Sequence, residues 1–354
     1  MTFLSNWPEK AHQRESGRSR KPLPSSGTFK QRKIKDNEIS KMEATVRKQL
    51  ITFHPDTLNA VRTACKLESP GRMDEAVDLL QEWILKQTHF VKKIYPPCYL
   101  EAILISTKGS VEIAKRRIDK MCTMRTFSPQ LFDKTDAKND LMELHDIIKT
   151  INLPKLTKDH YRISLIKLTG KPLPLHYNHL DFFKFSIILA EHIKLHDYCQ
   201  GFIIIVDHRD ASIMDFVTRT NLYELQNVIL LLTEGYGIRM KGLHILSSSK
   251  VVDTLVSIFK QVFTAKLVAR IHVHNTIETL FEFVPKSLLP KDFGGDERSI
   301  STLHDEWLQE LSTEDHINYM KMMREACTDE KLRLTDQFDE NMGLSGTFRA
   351  LAFD

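Results

Sequence analysis

Glycine, cysteine and long apolar runs are all scarce in this sequence, and each scarcity removes a class of function. With 13 glycines in 354 residues there is no G-x-x-x-x-G-K-S/T phosphate loop, no G-x-G-x-x-G after a strand and no G-x-S-x-G elbow, and the H-E-x-x-H metal motif is missing as well. An enzyme built on this chain must therefore hide its site. The five cysteines, Cys65, Cys98, Cys122, Cys199 and Cys327, lie far apart with no C-x-x-C pair, which argues against a disulfide framework and a structural zinc site. No window approaches the ~20 uninterrupted apolar residues of a membrane span, and MTFLSNWPEKAHQRES lacks a signal-peptide core, so an intracellular, cytoplasmic protein is expected. At 42% hydrophobic and 27% charged residues the composition is that of a globular chain of one or two domains.

Charge is unevenly placed. Residues 1–40 carry nine Lys/Arg against four Asp/Glu, a surplus of five, which leaves 41 against 42 for everything after them. The stretch SGRSRKPLPSSGTFKQRKIK is polar and aperiodic, so residues 1–42 are expected to be a disordered basic tail. Such a tail is either solvated without a partner or attracted to an anionic surface; no nucleic-acid partner is expected for the protein.

From residue 43 the pattern is helical. Met73, Ala76, Val77, Leu80, Trp83 and Ile84 recur at spacings of three and four, and YLEAILI and VEIAKRRIDKMCTMRTF continue in the same manner, which predicts a helical lobe over 43–132. After a loop-rich passage the character changes near residue 160. YRISLIKL reads as a strand, DFFKFSIILAEHIKLHD as a helix, and GFIIIVD as a strand buried on both faces. The helix NLYELQNVILLLTEGY, the strand RMKGLHILS, the amphipathic segment SKVVDTLVSIFKQVF and the strand ARIHVHN follow. Short apolar strands joined by crossover helices predict an α/β domain with a mainly parallel sheet over 145–300, and residues 301–354 read as a helical or disordered extension.

Candidate chemistry is thin. Asp207-His208 follows the buried strand, and His272 and His274, two apart on a strand, face one way. Each has a bland reading beside the functional one. Asp207 can cap the next turn rather than catalyse, and two histidines supply only half of a metal's ligands. The segment 251–267 places Val251, Leu255, Ile258, Phe259, Val262 and Phe263 on one helical face, either sealing a core or covering an apolar cavity.

LLPKDFGG, residues 288–295, holds the only Gly-Gly pair, where a positive φ or a close backbone approach is expected. Taken with GFIIIVD, YGIRMKGLHIL, the Phe-rich helix and AKLVARIHVH before it, LPKDFGG resembles the CRAL-TRIO lipid-binding family. It is most like the branch that holds alpha-tocopherol transfer protein, retinaldehyde-binding protein and the clavesins, in the divergent form common in insects. The resemblance spans residues 145–300, and the helices at 73–132 are similar to that family's N-terminal lobe. It implies a non-enzymatic, monomeric carrier of one hydrophobic small molecule or lipid, needing no cofactor, with a helical gate over a sheet floor.

From the strands and the gate face, the cavity lining is expected among Phe202, Ile204, Val206, Leu230, Leu231, Met240, Leu243, Ile245, Phe259 and Phe263. The resemblance places a phosphoinositide-binding cleft on Arg239, Lys266 and Arg270, with Lys241 adding to the field, and so implies transient docking on endosomal or other intracellular membranes. Two departures stand out. The family's L-R-A-R reads Leu104-Ile105-Ser106-Thr107 here, with only Lys108 nearby, and the aromatic-proline before the basic strand is Tyr236-Gly237. Two readings compete with the carrier: an enzyme using Asp207 and the histidines, and a scaffold that kept the fold and lost its cavity.

Overall fold

A computed structural model describes residues 50–334. The basic tail expected at 1–42 and the last part of the C-terminal extension lie outside the described residues. Helices α1 (Thr57–Ala64), α2 (Arg72–Lys86), α3 (Pro97–Ser106) and α4 (Val111–Phe127) come first. In α2 the residues that sink into the core are Met73, Ala76, Val77, Leu80 and Ile84, the stripe that their spacing predicts. Pro97 opens α3 at a position where its missing N–H costs nothing. Ser110 caps α4 by accepting from the Ile113 amide at 3.3 Å.

The sheet follows: β1 (Ile148–Asn152), β2 (Tyr161–Leu168), β3 (Gly201–Asp207), β4 (Met240–Leu246) and β5 (Ile271–His274), in spatial order β1-β2-β3-β4-β5. Strands β2 to β5 are parallel. The connecting helices are α6 (Leu180–His196) after β2, α7 (Ile213–Thr218) and α8 (Leu222–Leu230) after β3, and α9 (Val252–Val262) and α10 (Ala265–Val268) after β4. This is the mainly parallel α/β architecture that the strand and helix pattern predicts.

One strand runs against that pattern. The passage expected as loop contains a short helix α5 (Met142–Ile147) and then β1, which pairs antiparallel with β2. Five residues buried at four positions show no alternation, so nothing in IKTIN distinguishes an edge strand from the turn beside Pro154. Its outer edge is covered by helix α11 (Ile300–Leu311), followed by α12 (Glu314–Met323). The fully buried Trp307 donates from Nε1 to the Asn152 carbonyl at 2.9 Å, so the described part of the C-terminal extension is built into the fold rather than appended to it.

Both expectations for the Gly-Gly pair are met. Gly294 has φ of 71°, and a Cβ on Gly295 would run into the Leu289 carbonyl. The turn they make returns the chain so that the Lys291 amide donates to the Glu297 carbonyl at 3.0 Å. Asp292 then caps α11, accepting from the Ile300 amide at 2.8 Å. LPKDFGG is the joint between the last strand and the helix that closes the sheet edge.

Candidate functional site

A cavity of about 260 Å³ lies between one face of the sheet and helices α6, α8 and α9. The periodicity of each element explains its wall. Ser164 and Ile166 on β2 and Ile204 and Val206 on β3 are two apart, so they share a sheet face. Leu225, Val228, Ile229 and Leu232 recur at three and four, one side of α8 and of the π-helical turn (Leu231–Gly235) that extends it. Leu255, Ile258 and Phe259 on α9, with Phe263 just past its end, form the outer wall, where the two phenyl rings stack with centroids 5.3 Å apart.

Phe202, Ile204, Val206, Met240, Leu243, Phe259 and Phe263 stand on this wall. Three expected residues do not. Leu230 and Leu231 are one residue out of phase with the cavity face of their helix, and Leu231 is fully buried in the main core. Ile245 shares a face with Leu243 and belongs to the same apolar cluster as Met240, Leu243 and Leu255, but it lies behind the cavity surface rather than on it. The correct α8 face was legible in the three-and-four spacing of Leu225, Val228, Ile229 and Leu232. The contribution of α6, including Phe182, Leu189, Ile193 and Lys194, carries no such signal, because that helix is buried over most of its circumference.

Two of the candidate catalytic groups, Asp207 and His274, are engaged in contacts of their own. Asp207 accepts from the Arg209 amide at 3.1 Å and from its guanidinium at 2.8 and 2.9 Å, and Lys167 donates to it at 3.2 Å. It caps the turn after β3, and the Arg209 and Lys167 charges hold its carboxyl below the usual range against the opposing effect of burial. His244 Nδ1 lies 2.9 Å from His274 Nε2, and the His244 ring stacks on both His272 and His274. Among the described residues no group of three or more His, Cys, Asp or Glu is placed to hold a metal ion.

His208 is nearly fully buried on the cavity wall, and neither ring nitrogen has a hydrogen-bond partner among the described residues. Burial pushes its pKa down to about 4, whereas the unfolded chain takes up the proton near the ordinary value of about 6.5. Between those values the unfolded state binds more protons, so the stability is complete above pH ~6.5 and is lost as pH falls. A His208→Phe variant should retain about 2 kcal/mol at pH 5 that the parent loses, read from denaturant unfolding at pH 7.5 and pH 5. Equal losses in the two proteins would show that His208 titrates normally.

Beside the cavity is a second hollow, lined by Lys108, Arg239, Lys241, Lys266 and Arg270 with Thr233, Ile238, Met240, Thr264 and Leu267. All four basic residues expected from the sequence meet here, although they come from the approach to β4, from β4 itself and from the α10 turn. Lys108 joins them from just past the end of α3. Arg270 also donates to the Met240 carbonyl, and the Lys241 ammonium lies 4.5 Å over the Tyr161 ring. Ile238, Arg239 and Met240 line both hollows. Just before them Gly237, at φ of 70°, leaves room for the Arg117 guanidinium where a Cβ would stand.

A mainly parallel sheet lies beneath helices that enclose an apolar cavity. In comparison with known proteins, residues 131–295 match the family model described as CRAL/TRIO domain. The likeness covers the sheet and the helices that cross it, from β1 to the Gly-Gly turn. A human alpha-tocopherol transfer protein-like protein is 25% identical over 104 residues, 29% of this chain and 30% of that protein. The mouse protein of the same description is 24% identical over 129 residues, 36% of this chain and 37% of that one. The matched part thus spans about a third of the length of these relatives. A solved structure, "Crystal structure of Sfh5", superposes with a TM-score of 0.47 at 12% identity, covering 67% of this chain and 92% of that one. Among the described residues no helix is long and apolar enough to cross a membrane.

Proposed function

We propose that the protein is a carrier: it holds one hydrophobic molecule in the cavity and exchanges it at membranes whose phosphoinositide head groups occupy the basic hollow. One observation carries the reading, namely that the apolar cavity and the cluster of five cations share the wall Ile238–Met240. Each hollow alone is unremarkable. Their common wall allows a head group bound outside to bear on the segment that borders the ligand inside. Helix α9 and Phe263 form the gate, since they are the outermost wall and their polar face carries Asp253 and Lys260. Burying ten methylenes of a ligand gains ~8 kcal/mol before ordering costs, enough for useful affinity. The carrier acts as a monomer and without catalysis.

Native mass spectrometry of the purified protein distinguishes this from the other readings. A bound lipid supports the carrier, a bound metal ion revives the enzyme, and an empty protein that takes up no lipid when offered one favours the scaffold. The gate assignment has its own test. Phe259→Asp with Phe263→Asp places two carboxylates against an apolar cavity, and should weaken retention of a fluorescent lipid by at least about tenfold while the circular dichroism of the sheet persists. Undiminished retention would reject α9 as the wall that closes on the ligand.

A further inference from the structure

The cavity contains a charge that its apolar lining does not explain. Lys194, in the last turn of α6, is nearly fully buried and lines the cavity beside Ile193 and Ala190. Its Nζ carries three donors, and the contact it makes among the described residues is one long hydrogen bond, 3.4 Å to the Ala102 carbonyl. Among the described residues no carboxylate lies within ion-pair distance of it. The two nearest in the chain are committed elsewhere. Glu191 accepts from Arg125, from Tyr236 at 2.6 Å and from Tyr319 at 3.0 Å. Asp197 is held by the Arg162 guanidinium at 2.8 and 3.1 Å.

The surroundings bear on it with both signs, Glu191 and Cys199 favouring its charge and Arg117 opposing it. Arg117 bears on Lys194 electrostatically, and its own guanidinium is spent on neutral oxygens, Ser106 Oγ at 2.7 Å and the Glu234 carbonyl at 3.1 Å. Arg239 stands on the same cavity wall. A buried ammonium is stable only when it is paired, so this end of the cavity is short of one anion. Burial and Arg117 accordingly lower the Lys194 pKa to about 7, which leaves the amine ready to regain its proton when an anion arrives.

We propose that Lys194 is the head-group site of the cavity and that the ligand is a long-chain carboxylate, its chain against the phenylalanines of α9 and its carboxylate on the lysine Nζ. The inference rests on the carrier reading and narrows it from any hydrophobic molecule to an acidic one. An ammonium–carboxylate contact in a water-poor site is stronger than one between neutral groups, and no ester, alcohol or hydrocarbon can make it. The apolar lining supplies affinity; the lysine supplies selection by head group.

The test compares cis-parinaric acid with its methyl ester, both fluorescent on entering an apolar site, using the delipidated full-length protein at pH 7.4. The acid should bind about tenfold or more tightly than the ester. In Lys194→Met, a substitution of similar length without the charge, the acid-to-ester ratio should fall to near one. An acid and ester bound equally by the parent protein would overturn the lysine site and leave the carrier intact, as would a preference that survives Lys194→Met. Binding of neither probe to the parent protein would overturn the carrier reading and this one with it.

Discussion

Glu191→Leu should lower stability by about 3–5 kcal/mol and the melting temperature by about 10 °C. Glu191 is fully buried on α6 and accepts from three parts of the chain: Arg125 on α4, Tyr236 at the end of the π-helical turn, and Tyr319 on α12. Arg125 is itself buried, and its other hydrogen bonds go to the Ala326 carbonyl and Tyr236 Oη, both at 3.0 Å. Leucine fills the space but leaves that guanidinium in the interior without a counter-charge, and this uncompensated charge rather than the lost contact dominates the cost. The double variant Arg125→Met with Glu191→Leu should therefore recover much of the loss, since removing both charges of a buried pair is often close to neutral. If the single and double variants are equally destabilised, the cost is one of packing and the ion pair contributes little. The expected coupling also fixes how the N-terminal helices are joined to the α/β domain: α4 and α12 meet on one carboxylate projected from the helix whose other residues line the cavity.

How far the sequence could be read depended on whether a residue's role is local. The central strands announce themselves because a strand covered on both faces must be an unbroken β-branched run, as in GFIIIVD. Strand β1 does not, because five residues at an edge draw their strand character from pairing with β2 and from Trp307, some 155 residues away. The same division holds at the site. Phe259 and Phe263 stand out as the apolar face of an amphipathic helix, whereas Leu230 and Leu231 show that a run of leucines does not reveal which of them a one-residue rotation turns inward. Lys194 is opaque for a further reason. A lysine in AEHIKLHD looks like any solvated helix position, and only the packing of α3 across α6 shows that it is buried.

Neutralising three cations of the basic hollow, as Arg239→Gln, Lys241→Gln and Lys266→Gln together, should weaken binding to vesicles containing phosphatidylinositol bisphosphate by about a hundredfold. Each basic residue near an anionic surface contributes ~1 kcal/mol, and ~3 kcal/mol corresponds to that factor. Arg270 is left in place because its guanidinium also holds the Met240 carbonyl; Arg270→Gln would loosen the β4–β5 pair and confuse membrane binding with folding. The three chosen side chains have no ion-pair partner among the described residues, so their loss strands no buried carboxylate. Uptake of ligand from solution should be largely kept, because Arg239 alone of the three touches the cavity wall, while transfer between vesicles should slow as docking fails. Salt gives an independent reading: exposed charges are screened over ~8 Å at physiological ionic strength, so raising salt should weaken the parent protein on vesicles far more than the triple variant. If the triple variant binds such vesicles as the parent does at physiological salt, the basic hollow is not the docking site. The shared wall at Ile238–Met240 would then couple the cavity to nothing outside it, and exchange would have to begin at the stacked phenylalanines of α9.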